Sequence, residues 1–121
     1  MSTQEIAKTL VDLCSKGKFI EAGKTLYSPD IVSVEAFAPP GQSRETRGLQ
    51  NVVAKSESFL SRHEVHSITV EGPLVAGSYF AVTFKLEMTA KQENRRYQLE
   101  EIAVYKVENG KIVREEFFYS M

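Results

Sequence analysis

The sequence predicts an α+β domain: a twisted antiparallel sheet curls, and three helices cover its concave side. Three observations carry this. From Ser78 to Met88 the residues alternate, with Phe80, Val82, Phe84, Leu86 and Met88 on one face and Tyr79, Thr83, Lys85 and Glu87 on the other. A period of two is that of a half-buried strand. Two polar, turn-forming stretches, Lys91 to Arg96 and Glu108-Asn109-Gly110, lead on to strands at Tyr97 to Val107 and Lys111 to Tyr119. Such a meander has an apolar face that needs a cover, and three amphipathic segments upstream can supply it.

Gln4 to Ser15 reads as the first helix, with Ile6, Leu10, Leu13 and Cys14 at helical spacing. Ser2 or Thr3 can cap its start, and Gly17 stands where a left-handed residue ends a helix. Lys18 to Leu26 is a second, short helix presenting Phe19, Gly23 and Leu26, with Tyr27 at its edge, before Ser28-Pro29-Asp30 breaks it. Ile31 to Phe37, rich in β-branched residues, is a strand, and Ala38-Pro39-Pro40-Gly41-Gln42-Ser43 is a loop. Thr46 is placed to cap a third helix, Arg47 to Arg62, whose apolar face is Leu49, Val52, Val53, Phe59 and Leu60. Val65 to Val75 is a strand with His66, Ile68 and Val70 on one side, and Gly77-Ser78 turns it into the meander.

The 121 residues fit one domain, 1–121, with a single core. A net charge of -1 with interspersed signs offers no basic stripe, which argues against nucleic acid as a partner. No apolar run approaches the ~20 residues of a membrane span, and Met1 to Leu10 lacks the regions of a signal peptide. Cys14, the one cysteine, cannot close an internal disulfide, so a reducing, cytoplasmic setting is expected. It lies on an apolar stripe with no basic neighbour, as an inert thiol would.

Three stretches carry a resemblance to a known family: Leu26-Tyr-Ser-Pro-Asp-Ile-Val-Ser-Val-Glu35, Arg47-Gly48-Leu49, and Tyr105-Lys-Val-Glu-Asn-Gly-Lys-Ile-Val113. With the order of elements, they resemble the superfamily of nuclear transport factor 2 and ketosteroid isomerase. Glu101-Ile-Ala-Val-Tyr-Lys-Val and Val113-Arg-Glu-Glu-Phe-Phe-Tyr are most similar to its SnoaL-like proteins. The resemblance implies a cone-shaped NTF2-like fold, with three N-terminal helices on a curved, mostly antiparallel sheet around a deep apolar pocket. It specifies a fold better than a reaction. It also implies a homodimer through the outer sheet face, where Ile102 and Val104, beside Tyr79 and Thr83, would need covering.

Within that pocket Glu35 falls, counting from Asp30, on the first-strand position that holds the general base in ketosteroid isomerases, normally an Asp. Alternation also groups Val32, Val34 and Ala36, which would leave Glu35 in water. The isomerase's oxyanion tyrosine would align with Leu10 or Val11, and its protonated Asp near Ala103, so steroid isomerisation is not expected. Glu101 should face inward with Ala103, Tyr105 and Val107. A two-residue Asn109-Gly110 loop would point Ile112, Arg114, Glu116 and Phe118 inward. A three-residue Glu108-Asn109-Gly110 loop would instead point Val113, Glu115, Phe117 and Tyr119 inward, with Glu115 opposite Ala103. This second register is the expectation. Two carboxylates would then share an apolar chamber, where one can hold a proton at neutral pH unless an arginine neutralises them.

His66 is a further acid–base candidate if it points inward, although a lone histidine on an apolar strand face also serves as a hydrogen-bonded packing residue. His63 and His66 share no helix and have no third ligand nearby in sequence, so no metal is expected. Tyr105 and Tyr119 are candidate donors to a ligand oxygen, with Phe80, Val82, Phe84, Leu86 and Phe117 as pocket walls. Arg44 and Arg47 are available to an anionic ligand, or are solvated loop charges. The expected function is binding of a small apolar ligand, with isomerase, dehydratase or cyclase chemistry on a carbonyl compound and no cofactor. The alternative is a non-catalytic dimeric module that binds a ligand or a protein.

Overall fold

The structure, a computed structural model, describes residues 1–120. Helix α1 (Thr3–Ser15) opens on a capping box: the Ser2 hydroxyl accepts from the Glu5 amide at 3.1 Å, and the Glu5 carboxylate accepts from the Ser2 amide at 2.9 Å. It closes where Gly17 takes φ +76, which lets the Lys18 amide reach the Leu13 carbonyl at 2.9 Å. Helix α2 (Phe19–Leu26) then runs straight into strand β1 (Tyr27–Val34), which starts and ends earlier than the sequence suggested. Pro29 does not delay it, because its segment lies in an irregular stretch of the ladder between Tyr27 and Val32, where a missing N–H is tolerated.

Strand β2 (Glu45–Arg47) was not expected; at three residues it is too short to show a period. It absorbs Thr46, so helix α3 (Leu49–Arg62) has no side-chain cap and starts from Gly48 at φ +89. Four strands follow: β3 (His63–Ala76), β4 (Tyr79–Ala90), β5 (Arg95–Glu108) and β6 (Lys111–Phe118). With β1 and β2 they form one six-stranded sheet in the order β2-β1-β6-β5-β4-β3. All neighbours are antiparallel except β1 and β6, which run parallel and set Ser33 beside Glu115. Helix α1 lies on β3 and β4, and α3 spans toward β1, so the helices cover one face as expected.

The core joins Ile6 and Leu10 of α1 to Leu26, Ile31, Phe80, Val82 and Ile112, all essentially buried. On α3 only Val52 is buried. Val53, Phe59 and Leu60 are half-buried because they face a hollow rather than a filled core.

The last hairpin combines both registers weighed above. Its turn is the two-residue one, with Asn109 at φ 52 and Gly110 at φ 74 between paired Glu108 and Lys111. Ile112 is therefore inward and fully buried. Val113 is then an extra residue in β6, and the ladder shifts between Lys106 and Val107. Beyond that bulge Glu115 and Phe117 share the inner face, as expected, but Glu115 stands opposite Tyr105 and Phe117 opposite Ala103.

Candidate functional site

Between the concave face of the sheet and helices α2 and α3 lies a chamber of about 960 Å³. That is the size of a ligand pocket. Glu35, Glu101 and Glu115 all border it, as do Phe84, Leu86, Tyr105, Phe117 and Tyr119.

The three carboxylates meet different neighbours. Glu115 is buried and hydrogen-bonded to the Tyr27 hydroxyl. Burial raises its pKa, while the bonds from Tyr27 and Ser33 oppose the rise. Tyr27 and Tyr105 are pushed well above the usual phenol range, first by burial and then by the Glu115 charge. Glu35, one residue past the end of β1, and Ser33 within it are both reached by Lys55 of α3, at 3.0 Å from the Glu35 carboxylate and 3.1 Å from the Ser33 hydroxyl. The Tyr119 hydroxyl donates to the other Glu35 oxygen at 3.4 Å. Burial, then the charges of Glu35 and Glu101, push Tyr119 up to about 12.

Glu101 has no side-chain partner among the described residues, and no buried oxygen is left unsatisfied, so its carboxyl group faces the hollow. Burial, reinforced by the Glu35 and Glu115 charges and opposed by Lys55, pushes it up to about 7. It can therefore hold or release a proton at neutral pH.

Three expected members lie elsewhere. His66 sits at a bulge between Val65 and Ser67 that puts Val65 on the chamber wall and turns the histidine outward, where Nε2 meets the Thr89 hydroxyl at 2.6 Å. Phe80 and Val82 are core, not wall: they pack with Ile6 and Leu10 of α1, and the Phe80 ring stacks on Tyr105 at 4.7 Å. Cys14 is buried as expected, with its thiol pushed up to about 12 by desolvation. His63 stacks on Phe59 at 4.0 Å and bonds the Phe59 carbonyl at 2.8 Å. Arg44 borders the chamber but its guanidinium donates to the Glu35 carbonyl at 2.8 Å and stands 3.7 Å from Glu116. Arg47 pairs with Glu45 at 2.8 Å.

Sequence reading missed Lys55, Tyr27 and Ser33 as site residues. Lys55 had a visible signal: it lies three residues after Val52 and four before Phe59, on the apolar stripe of its helix. A charge on such a stripe needs a partner inside.

A profile of the SnoaL-like domain matches residues 1–119. A protein from Mesorhizobium loti, provisionally named a SnoaL-like polyketide cyclase, is 37% identical and superposes with a TM-score of 0.92 over 98% of this chain and 100% of its own. An NTF2-like protein of unknown function from Burkholderia pseudomallei shares the fold at 17% identity, with a TM-score of 0.77 over 99% of this chain and 92% of that one. So does a hypothetical protein with a ketosteroid isomerase-like fold from Catenulispora acidiphila, solved in complex with trimethylamine, at 16% identity and a TM-score of 0.75 over 99% and 88% of the two chains. A comparison with curated proteins found no match. The three-helix, six-strand architecture is the NTF2-like fold, and the match along nearly the whole sequence makes this chain a member of the SnoaL-like domain family.

Proposed function

We propose that this protein binds an apolar carbonyl compound in its chamber and moves a proton at the carbon next to the carbonyl, with Glu101 as the acid–base group. The supporting observation is a carboxyl group that faces an apolar hollow, has no side-chain partner among the described residues and is pushed up to about 7 by burial. As a carboxylate Glu101 removes the proton, and the electron pair moves onto the carbonyl oxygen. Lys55, whose ammonium has three N–H donors and spends two on Ser33 and Glu35, is the chamber donor available to that developing charge. Glu101 then returns the proton to a second carbon, or to a departing hydroxyl, or the enolate carbon closes a ring on a second carbonyl, whose π pair moves onto its oxygen and takes the proton from Glu101. These outcomes are isomerisation, dehydration and cyclisation. Glu35, the base expected from sequence, here positions Lys55 and Tyr119, and no step requires a metal or nucleotide.

The second reading, a non-catalytic binding module, is favoured by one fact: Glu35 and Glu115 are both already engaged by protein donors. Proton exchange separates the two. A panel of cyclic ketones and enones in D₂O, followed by NMR, should lose α-protons faster with the protein present, and Glu101→Gln should slow this by about 10²–10⁴-fold. Ligands that bind without any exchange would leave the module.

The same proposal includes a homodimer. The outer face presents two apolar rows in register, Leu74–Ala81–Val104 and Thr83–Ile102–Phe118, with Tyr79 alongside. Leu74 is 77% exposed, Ile102 50%, Phe118 49% and Tyr79 48%, a patch that a second copy would cover isologously.

A further inference from the structure

Among the basic side chains that border the chamber, two differ from the rest. Arg44 and Lys55 are paired with Glu116 and Glu35. Arg62 and Arg95 have no carboxylate within ion-pair distance among the described residues, although both line the same hollow.

The fold brings these two together. Arg62 ends α3, Arg95 begins β5, and β4 lies between them: its Ala90 pairs with His63 on one side and with Arg95 on the other. The Lys91 amide donates to the Arg62 carbonyl at 3.0 Å, which ties the turn after β4 to the end of the helix. The Arg62 side chain spends only Nε, on the Ser58 carbonyl at 3.2 Å. The Arg95 guanidinium stands over the Tyr97 ring at 5.0 Å, which orients it while its N–H groups have no partner among the described residues. The charges of both arginines, opposed by Glu93, are felt at the Tyr97 hydroxyl, so the three groups share one rim.

Tyr97 and Glu101 lie on one face of β5, four residues and hence about 13 Å apart. Leu99 stands between them, and Leu86, Val65 and Phe59 line the same hollow.

We infer that Arg62 and Arg95 form an anion-binding rim, and that the ligand is an elongated amphipathic acid whose carboxylate is held there while its apolar body runs inward toward Glu101. The inference rests on the reading of the chamber as a ligand site and names the class of ligand. Two guanidinium forks suit a planar carboxylate, which each can bind through paired N–H groups.

A pair of probes tests this without turnover: 6-phenylhexanoate and its primary amide, titrated into the protein by calorimetry. The acid should bind about tenfold more tightly than the amide, as one charge-assisted contact provides. That preference should shrink in 0.5 M salt, since the rim is exposed. It should disappear in R62Q/R95Q, with amide affinity unchanged, and persist in E101Q. Equal binding of acid and amide, binding of neither, or a preference that survives in R62Q/R95Q would each overturn the rim. Loss of proton exchange as a finding, with the preference intact, removes the catalytic reading and leaves the rim standing.

Discussion

Glu101 and Glu115 sit on adjacent strands of one chamber, and what their oxygens touch separates their roles. Glu101 faces space, so its proton is exchangeable; an NMR titration of its carboxyl carbon should show a midpoint near 7 rather than the ordinary 4.5. A raised folded-state pKa means that the native protein binds more protons than the unfolded chain between those values. The stabilising contribution is therefore complete below about pH 4.5 and lost as pH rises through about 7. At pH 8, E101Q should resist urea better than the wild type, by up to about 3 kcal/mol, and the gain should fade toward pH 4.5. Glu115 is the opposite case. Its buried carboxyl depends on the Tyr27 hydroxyl, so Tyr27→Phe should cost about 1–3 kcal/mol of unfolding free energy. The inward direction of Glu101 was legible because alternation along β5 is unbroken. His66 was misplaced because a bulge restarts the count at that residue. Lys55 escaped because only apolar positions were counted on its helix.

The elements were legible wherever a period runs for two or more turns or pleats: α1, α3, β4 and β5 lie within a few residues of where the sequence put them. What failed was punctuation. Pro29 reads as a stop yet sits inside β1, and Asn109-Gly110 fixes its turn but carries no notice of the bulge at Val113. Glycine shows how conformation, not identity, sets the cost of a change. Gly110 holds φ +74, and Gly110→Ala should destabilise by about 1 kcal/mol. Gly23 is helical, and a methyl group there would meet Tyr27 and Val53 at 3.9 Å, ordinary contact. Gly23→Ala should therefore stabilise by about 0.5–1 kcal/mol, and paired thermal melts would reveal the opposite signs.

For the molecule as a whole, the sheet has a working side and a covering side, and they can be separated by mutation. Ile102→Glu places a charge at the centre of the outer apolar rows without touching the chamber. If the proposed homodimer forms, light scattering should show a dimer for the wild type and a monomer for the variant, while far-UV circular dichroism and binding of 6-phenylhexanoate stay as in the wild type. The general architecture was readable because three covering helices and a meander admit few arrangements. The parallel pairing of β1 with β6 was not, since no local pattern announces a contact between Tyr27 and Glu115, 88 positions apart. That pairing also sets an order of events during synthesis. A ribosome-bound chain still lacking β6 has Tyr27, Ser33 and Glu35 already made but no wall to place them against. The chamber's polar wall is thus complete only once β6 has slotted in beside β1.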